Sequence, residues 1–154
     1  MAIKRIARPK SLTFNKTTTS SAVTISELKS ATVEKSRELP EVQNGTALVK
    51  QAYQGAAAGS IEIETAQLVN IVGLTVGMKV DTVVLTADAA ADSEGVVTGQ
   101  DATITLSKGH ISEIGQPQLT NDSRQPATVK IKITLSNHEG DSSDATIGDW
   151  TAVT

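Results

Sequence analysis

Two stretches of this chain alternate apolar and polar residues without a break, a two-residue period that suits a pleated strand and not a helix. Ser60-Ile-Glu-Ile-Glu-Thr65 puts Ile61 and Ile63 on one face and Glu62 and Glu64 on the other. Thr128-Val-Lys-Ile-Lys-Ile-Thr-Leu135 turns Lys130 and Lys132 outward in the same way. Ala22 to Leu28, Ala31 to Arg37 and Ala102 to Ser107 repeat the pattern less strictly. Composition agrees: Val (14), Ile (12) and Thr (20) make 46 of 154 residues while aromatics are 2%, and β-branched side chains favour strands. Lys79 to Ala87, with Val83-Val84-Leu85 in succession, reads as a central strand covered on both faces. Apolar positions 68, 69, 71 and 72 ahead of Gly73 predict one short helix. The Ser107-Lys-Gly-His110 segment reads as a turn, with a further strand beginning at Ile111. The expected fold is mainly β: a single β sandwich or barrel of seven to eight short strands, with one short flanking helix, a long loop and extended terminal arms.

Charge divides the chain. Residues 1–40 hold eight Lys/Arg against three Glu, and residues 41–154 hold six against fourteen acids, so the two parts carry +5 and -8. Lys4, Arg5, Arg8, Lys10 and Lys16 have no acid among them, and Pro9 with the polar run after Asn15 opposes a helix. Residues 1–21 are therefore expected to form a basic N-terminal arm, and residues 22–154 one β domain. Such an arm solubilises the chain or docks on the acidic body of an identical neighbour. Nucleic acid is a poorer partner for it, because Phe14 is its only aromatic and offers no stacking platform.

Between Glu38 and Gly59 the alternation stops. Pro40, Asn44-Gly45 and Gly55-Ala-Ala-Ala-Gly59 enclose one apolar group of Leu48, Val49, Ala52 and Tyr53. This predicts a long loop or extended hairpin ordered by a neighbouring subunit, with Gly55 and Gly59 as a hinge or turn. Trp150 is expected to anchor the C-terminal segment.

Residues that carry chemistry are sparse. Cys is absent, which removes disulfides, thiolate metal sites and thiol nucleophiles. His110 and His138 are the only imidazoles. Ser107, His110 and Glu113 lack the glycines of a nucleophile elbow and read as turn residues. Glu139, Asp141, Asp144 and Asp149 miss the spacing of a calcium loop. Gly73 to Gly77 has no following Lys-Ser/Thr for phosphate. Asn15, Asn44 and Asn121 each open an N-x-S/T triplet, a chance product of a Ser/Thr-rich chain. No apolar run approaches the roughly 20 residues of a membrane span. No enzymatic activity, cofactor, metal or membrane partner is expected.

The layout as a whole resembles phage tail tube (major tail) proteins. The resemblance rests on the basic N-terminal segment, the loop 38–59, the strand Ser60 to Thr65, the short helix ending at Gly73, the Gly73-Leu-Thr-Val-Gly-Met-Lys-Val80 passage into a strand, and the late strand Thr128 to Leu135. It implies a virion structural protein, assembled in the host cytoplasm, whose hexameric rings stack into a hollow tube for genome passage. It further implies inter-subunit contacts at Lys4, Arg5, Arg8, Lys10, Lys16, Leu48, Val49 and Tyr53, and a lumen faced by Glu62 or Glu64. Its partners would be further copies, other virion tail proteins and, transiently and without sequence preference, DNA. Unlike surfaces on one chain generate rings or open filaments, which suits a tube. A capsid decoration or head-to-tail adaptor protein shares the β layout but stops at a fixed oligomer. A small β binding module would want an aromatic face, for which Tyr53 and Trp150 are too few.

Overall fold

The computed structural model describes residues 8–17, 19–37, 41–42, 51–52, 57–88, 101–115 and 127–152. The alternating segments are strands, except that Ala22 to Leu28 is interrupted at Ser26 and Glu27, the latter at φ 55°. In chain order these are β1 (Pro9–Lys16), β2 (Ala22–Ile25), β3 (Leu28–Arg37), β4 (Glu41–Val42), β5 (Gln51–Ala52), β6 (Ala57–Thr65), β7 (Lys79–Ala87), β8 (Ala102–Ile114), β9 (Val129–Leu135) and β10 (Thr151–Ala152). Seven of them form one antiparallel sheet in the order β2-β1-β7-β8-β9-β6-β3. Among the described residues the chain is mainly β, 61% strand and 4% helical. The sheet bends until β1 approaches β3 but does not close into a barrel. Register shifts in the β1–β7, β3–β6 and β8–β9 pairs supply the bending, since a bulge sharpens local twist.

The inner face of this curl is the core. Ile61 and Ile63 of β6, Ile131 and Ile133 of β9, and Ile104 and Leu106 of β8 join one buried cluster, as the alternation requires. Leu12 and Phe14 of β1 join it too, both 0% exposed. The expected arm at residues 1–21 is thereby corrected. From Pro9 onward the basic segment is an interior strand, paired with β7 on one side and with β2 on the other. Ser11, Thr13 and Asn15 alternate with Leu12 and Phe14, whose side chains fill the core, while Lys10 and Lys16, of the same parity as those two, reach solvent near the two ends of β1, where register shifts interrupt the pairing with β7. Residues 1–7 lie outside the described residues.

Three further expectations change. The segment around Gly109 is not a turn: β8 runs for thirteen residues straight through it. A Cβ on Gly109 would stand 2.5 Å from the Thr134 carbonyl oxygen, so glycine permits β9 to approach where another residue would push it away. The middle strand is β8, and β7 lies beside it. Along β7 the buried positions are Val80, Val83 and Leu85, and the odd step between the first two contains Thr82 at φ 48°, an uncommon conformation for a β-branched residue. That step turns Val84 to the outer face, where it is half-buried. Gly59 belongs to β6 and not to a hinge, and a Cβ there would meet Ile147 Cγ2 at 3.0 Å.

The loop expected at 38–59 is framed by a hairpin. β3 pairs with β6 as far as Arg37 opposite Ala57, and β4 pairs with β5 between them in sequence. Leu48, Val49 and Tyr53 lie outside the described residues.

The C-terminal segment completes the sheet. β9 pairs only with the second half of β8, from Gly109 to Ile114. Along the first half, Ser107 N donates to Thr146 O at 2.8 Å, Gly148 N to Thr105 O at 3.0 Å, and β10 pairs with Ala102 and Thr103. Ile147 packs against the core while Trp150 is 47% exposed. The anchor of this segment is thus Ile147 with its backbone ladder, in place of the expected Trp150.

Candidate assembly surfaces

At one end of the curled sheet the apolar interior opens to solvent. The mouth is a cavity of about 390 Å³ lined by Pro9, Ala31, Val33, Leu85, Ala87, Ala102 and Trp150. β1, β7 and β8 bring their ends together there, because Pro9 is the register partner of Ala87 and Ala87 of Ala102. The lining is apolar and uncharged. Charges ring it: Lys10 Nζ lies 2.9 Å from Asp101 and 3.9 Å from Asp88, and Lys35 pairs with Asp149. The hydrogen bond to Asp101 raises the Lys10 pKa, and the one from Lys35 lowers that of Asp149. Arg8 accepts the Asp88 backbone N–H through its carbonyl, and its side chain is exposed.

The opposite end is closed by a 3-10 helix, Leu68–Ile71, and the turns that follow it. Gln67 Oε1 fixes its start by accepting from Ser26 N at 2.8 Å and Asn70 Nδ2 at 2.8 Å. Gly73 and Gly77 take φ of +90° and +91°, and Gly77 N donates to Ile111 O at 2.7 Å. Leu68, Ile71 and Leu74 pack on the core, whereas Val69, Val72 and Val76 are 78%, 80% and 62% exposed. The α-helical spacing expected from the sequence would put 68, 69, 71 and 72 on one stripe. A 3-10 helix aligns positions three apart, separating Leu68 and Ile71 from Val69 and Val72. No charged residue occurs between Ala66 and Met78.

The outer face of β3, β6, β9 and β8 bears Glu62 and Glu64. Their register partners on β9 are Lys132 and Lys130, and Glu113 of β8 stands opposite Lys132. This face is a ladder of alternating sign, in contrast to the acidic surface expected from β6 alone. Glu64 accepts from Thr128 Oγ1 at 2.5 Å and lies 3.8 Å from Lys29 Nζ. The Thr128 hydrogen bond, followed by Lys29 and Lys130, lowers its pKa. A carboxyl depressed in the folded state adds stability above its unfolded pKa and loses it as pH falls through the folded value. Thr128→Val therefore moves the Glu64 midpoint upward toward the ordinary carboxylate value, read by NMR titration of the side chain. An unchanged midpoint would assign the shift to the lysines.

The remaining candidates do not converge. Lys16 ends β1 beside Gly73, while Lys4 and Arg5 lie outside the described residues. His110 Nδ1 is 2.8 Å from Ser136 Oγ, and Ser107 Oγ accepts from Thr146 N at 2.7 Å, so Ser107 and His110 have separate partners. His138 Nε2 donates to the Gly109 carbonyl at 3.0 Å. The C-terminal acids are dispersed: Asp141 pairs with Lys108 at 2.9 Å, Asp144 accepts from Asn137 at 3.0 Å, and Asp149 pairs with Lys35. Among the described residues no three His, Cys, Asp or Glu side chains stand together as a metal site.

What fold and surfaces define together is a mainly β chain built on one open, curled sheet with an apolar mouth at one end and an apolar turn at the other. No protein-family model matches this chain, and no curated protein matches it either.

Proposed function

We propose that this chain is a structural subunit of a phage tail tube, assembling with identical copies into stacked rings around a lumen. The observation that carries the reading is the open sheet. β3 is a ten-residue edge strand that pairs, among the described residues, with β6 alone. An edge of that length presents unsatisfied backbone donors and acceptors to another chain. Lys29, Glu34, Lys35 and Arg37 along it oppose indiscriminate pairing while leaving room for a strand of matched charge. The β3–β6 hairpin extends this edge toward residues 38–56, which on this reading reach a neighbouring subunit. The charge ladder of Glu62, Lys132, Glu64 and Lys130 would serve as a wall that neither grips nor strongly repels passing DNA, since like charge alone would do one or the other.

The test is self-association of the full chain. Sedimentation velocity is expected to show concentration-dependent assembly, and negative-stain images to show rings or tubes. A sharp monomer of 16.0 kDa at every concentration overturns the proposal. A fixed oligomer that never stacks would favour a decoration or adaptor protein instead.

A further inference from the structure

We propose that residues 145–152 are a strap that opens as one unit about residues 136–144 while the seven-stranded sheet stays folded, with Lys35 as its latch. The movement is intramolecular and independent of the self-association proposed above.

The strap fills a place that β9 does not reach. The last partners of β9 are Gly109 of β8, opposite Leu135, and Ser60 of β6, opposite Thr134. Beyond them the chain leaves the ladder at residues 136–144 and returns at Ala145. Ile147 then stands opposite Leu106, and Thr151 and Ala152 opposite Thr103 and Ala102, antiparallel to β8 as β9 is. Gly59 of β6 leaves room for this return, since a Cβ there would lie 3.0 Å from Ile147 Cγ2.

The two segments are held unequally. β9 is laddered to β8 on one side and to β6 on the other, and it buries Val129, Ile131 and Ile133. The strap is laddered to β8 alone, and among the described residues no backbone hydrogen bond joins it to β3 or β6. On that side it has the packing of Ile147 and one cation, Lys35, whose Nζ donates to Gly148 O at 3.3 Å and pairs with Asp149. Ala145 is buried, whereas Thr146, Gly148, Asp149 and Trp150 are exposed. One-sided pairing and sparse burial put a segment at the low end of local stability.

The base is the firmer end. Asn137 Oδ1 accepts from Ala145 N at 2.6 Å, and Lys108 Nζ lies 2.9 Å from Asp141 and donates to Ser143 O at 3.1 Å. The Lys108 and Asp141 side chains are 21% and 23% exposed, against 44% and 88% for Lys35 and Asp149. Water and salt weaken an exposed pair more than a sheltered one, so the strap releases at Asp149 and swings about its base. Opening bares the β8 edge at residues 102–107 and takes the Trp150 wall off the mouth in one movement. The strap is thus the chain's own cover over an edge that would otherwise present unpaired backbone groups.

Amide hydrogen exchange of the full chain, followed by NMR, tests this at Ser107 N and Gly148 N, which donate to Thr146 O and Thr105 O. Both should show protection at least tenfold below that of Ile131 and Ile133 in β9. The two sites should match each other and respond little to low urea, because their opening exposes little surface. Lys35→Met keeps an apolar stem and removes both bonds; unchanged circular dichroism establishes that it folds. It should lower protection at Ser107 and Gly148 by the same factor, about twofold to fivefold for an exposed pair. Salt at about 1 M should bring wild type to the variant's value and leave the variant where it is. Protection at both sites equal to that of β9, with the same urea dependence, overturns the strap, since the segment would then open only with the sheet. Protection that falls stepwise from Ser107 through Gly148 to Thr151, with Lys35→Met acting on Gly148 alone, overturns it in favour of simple end fraying.

Discussion

Phe14→Ala is expected to cost about 3–5 kcal/mol, the range for removing a fully enclosed aromatic. Phe14 is the chain's only phenylalanine and is 0% exposed, packed with Leu12 in a core otherwise made of Ile, Leu and Val. No other side chain in that cluster has its volume, so a void left there is poorly filled by relaxation. Folded domains hold only about 5–15 kcal/mol in total, so the variant should be largely unfolded at moderate urea. A shift in ΔG below about 1 kcal/mol, measured by urea denaturation with an unchanged slope, would show that β1 is dispensable. The same logic governs truncation. Removing residues 1–16 takes out the strand between β2 and β7 and should abolish folding, whereas a detachable arm would leave a folded body.

Gly109→Val should cost about 3 kcal/mol or more through overpacking. Its Cβ would lie 2.5 Å from the Thr134 carbonyl oxygen and 3.1 Å from Leu106 Cδ2. The first is backbone of a paired strand, so relief requires β9 to move away from β8 and lose ladder hydrogen bonds. Gly148→Ala is the matched control, because its Cβ finds only Thr105 O at 3.8 Å, an ordinary contact, and should change stability by no more than about 0.5 kcal/mol. Equal losses at both positions in thermal or urea unfolding would mean that the close approach at Gly109 is not the cause.

Local pattern carried most of the fold. The two-residue periods at Ser60 to Thr65 and Thr128 to Leu135 determined that these are strands and which face each side chain takes, because the pleat leaves no other choice. The same alternation is present in Leu12 and Phe14 but is outweighed by Lys10 before them and Lys16 after them. Charge at the ends of a short segment does not say whether the strand between is detached or central. The assembly candidates were less legible. Lys10 looked available for a neighbour, yet Asp88 and Asp101, more than seventy positions away in sequence, hold it within its own chain. Glu62 and Glu64 looked like an acidic face until pairing with β9 set Lys132 and Lys130 opposite them.

What the sequence determined by itself is therefore the class: a mainly β chain and, along its strictly alternating strands, which residues face inward and which outward. What only the tertiary structure decided is which strands are neighbours. Strand order, the bend that stops short of closure, the mouth beside Trp150 and the outward row of Val69, Val72 and Val76 all depend on contacts between residues far apart in the chain. Periodicity is a property of a few consecutive residues and carries no record of their partners, whereas pairing is selected by the packing of the whole apolar face at once.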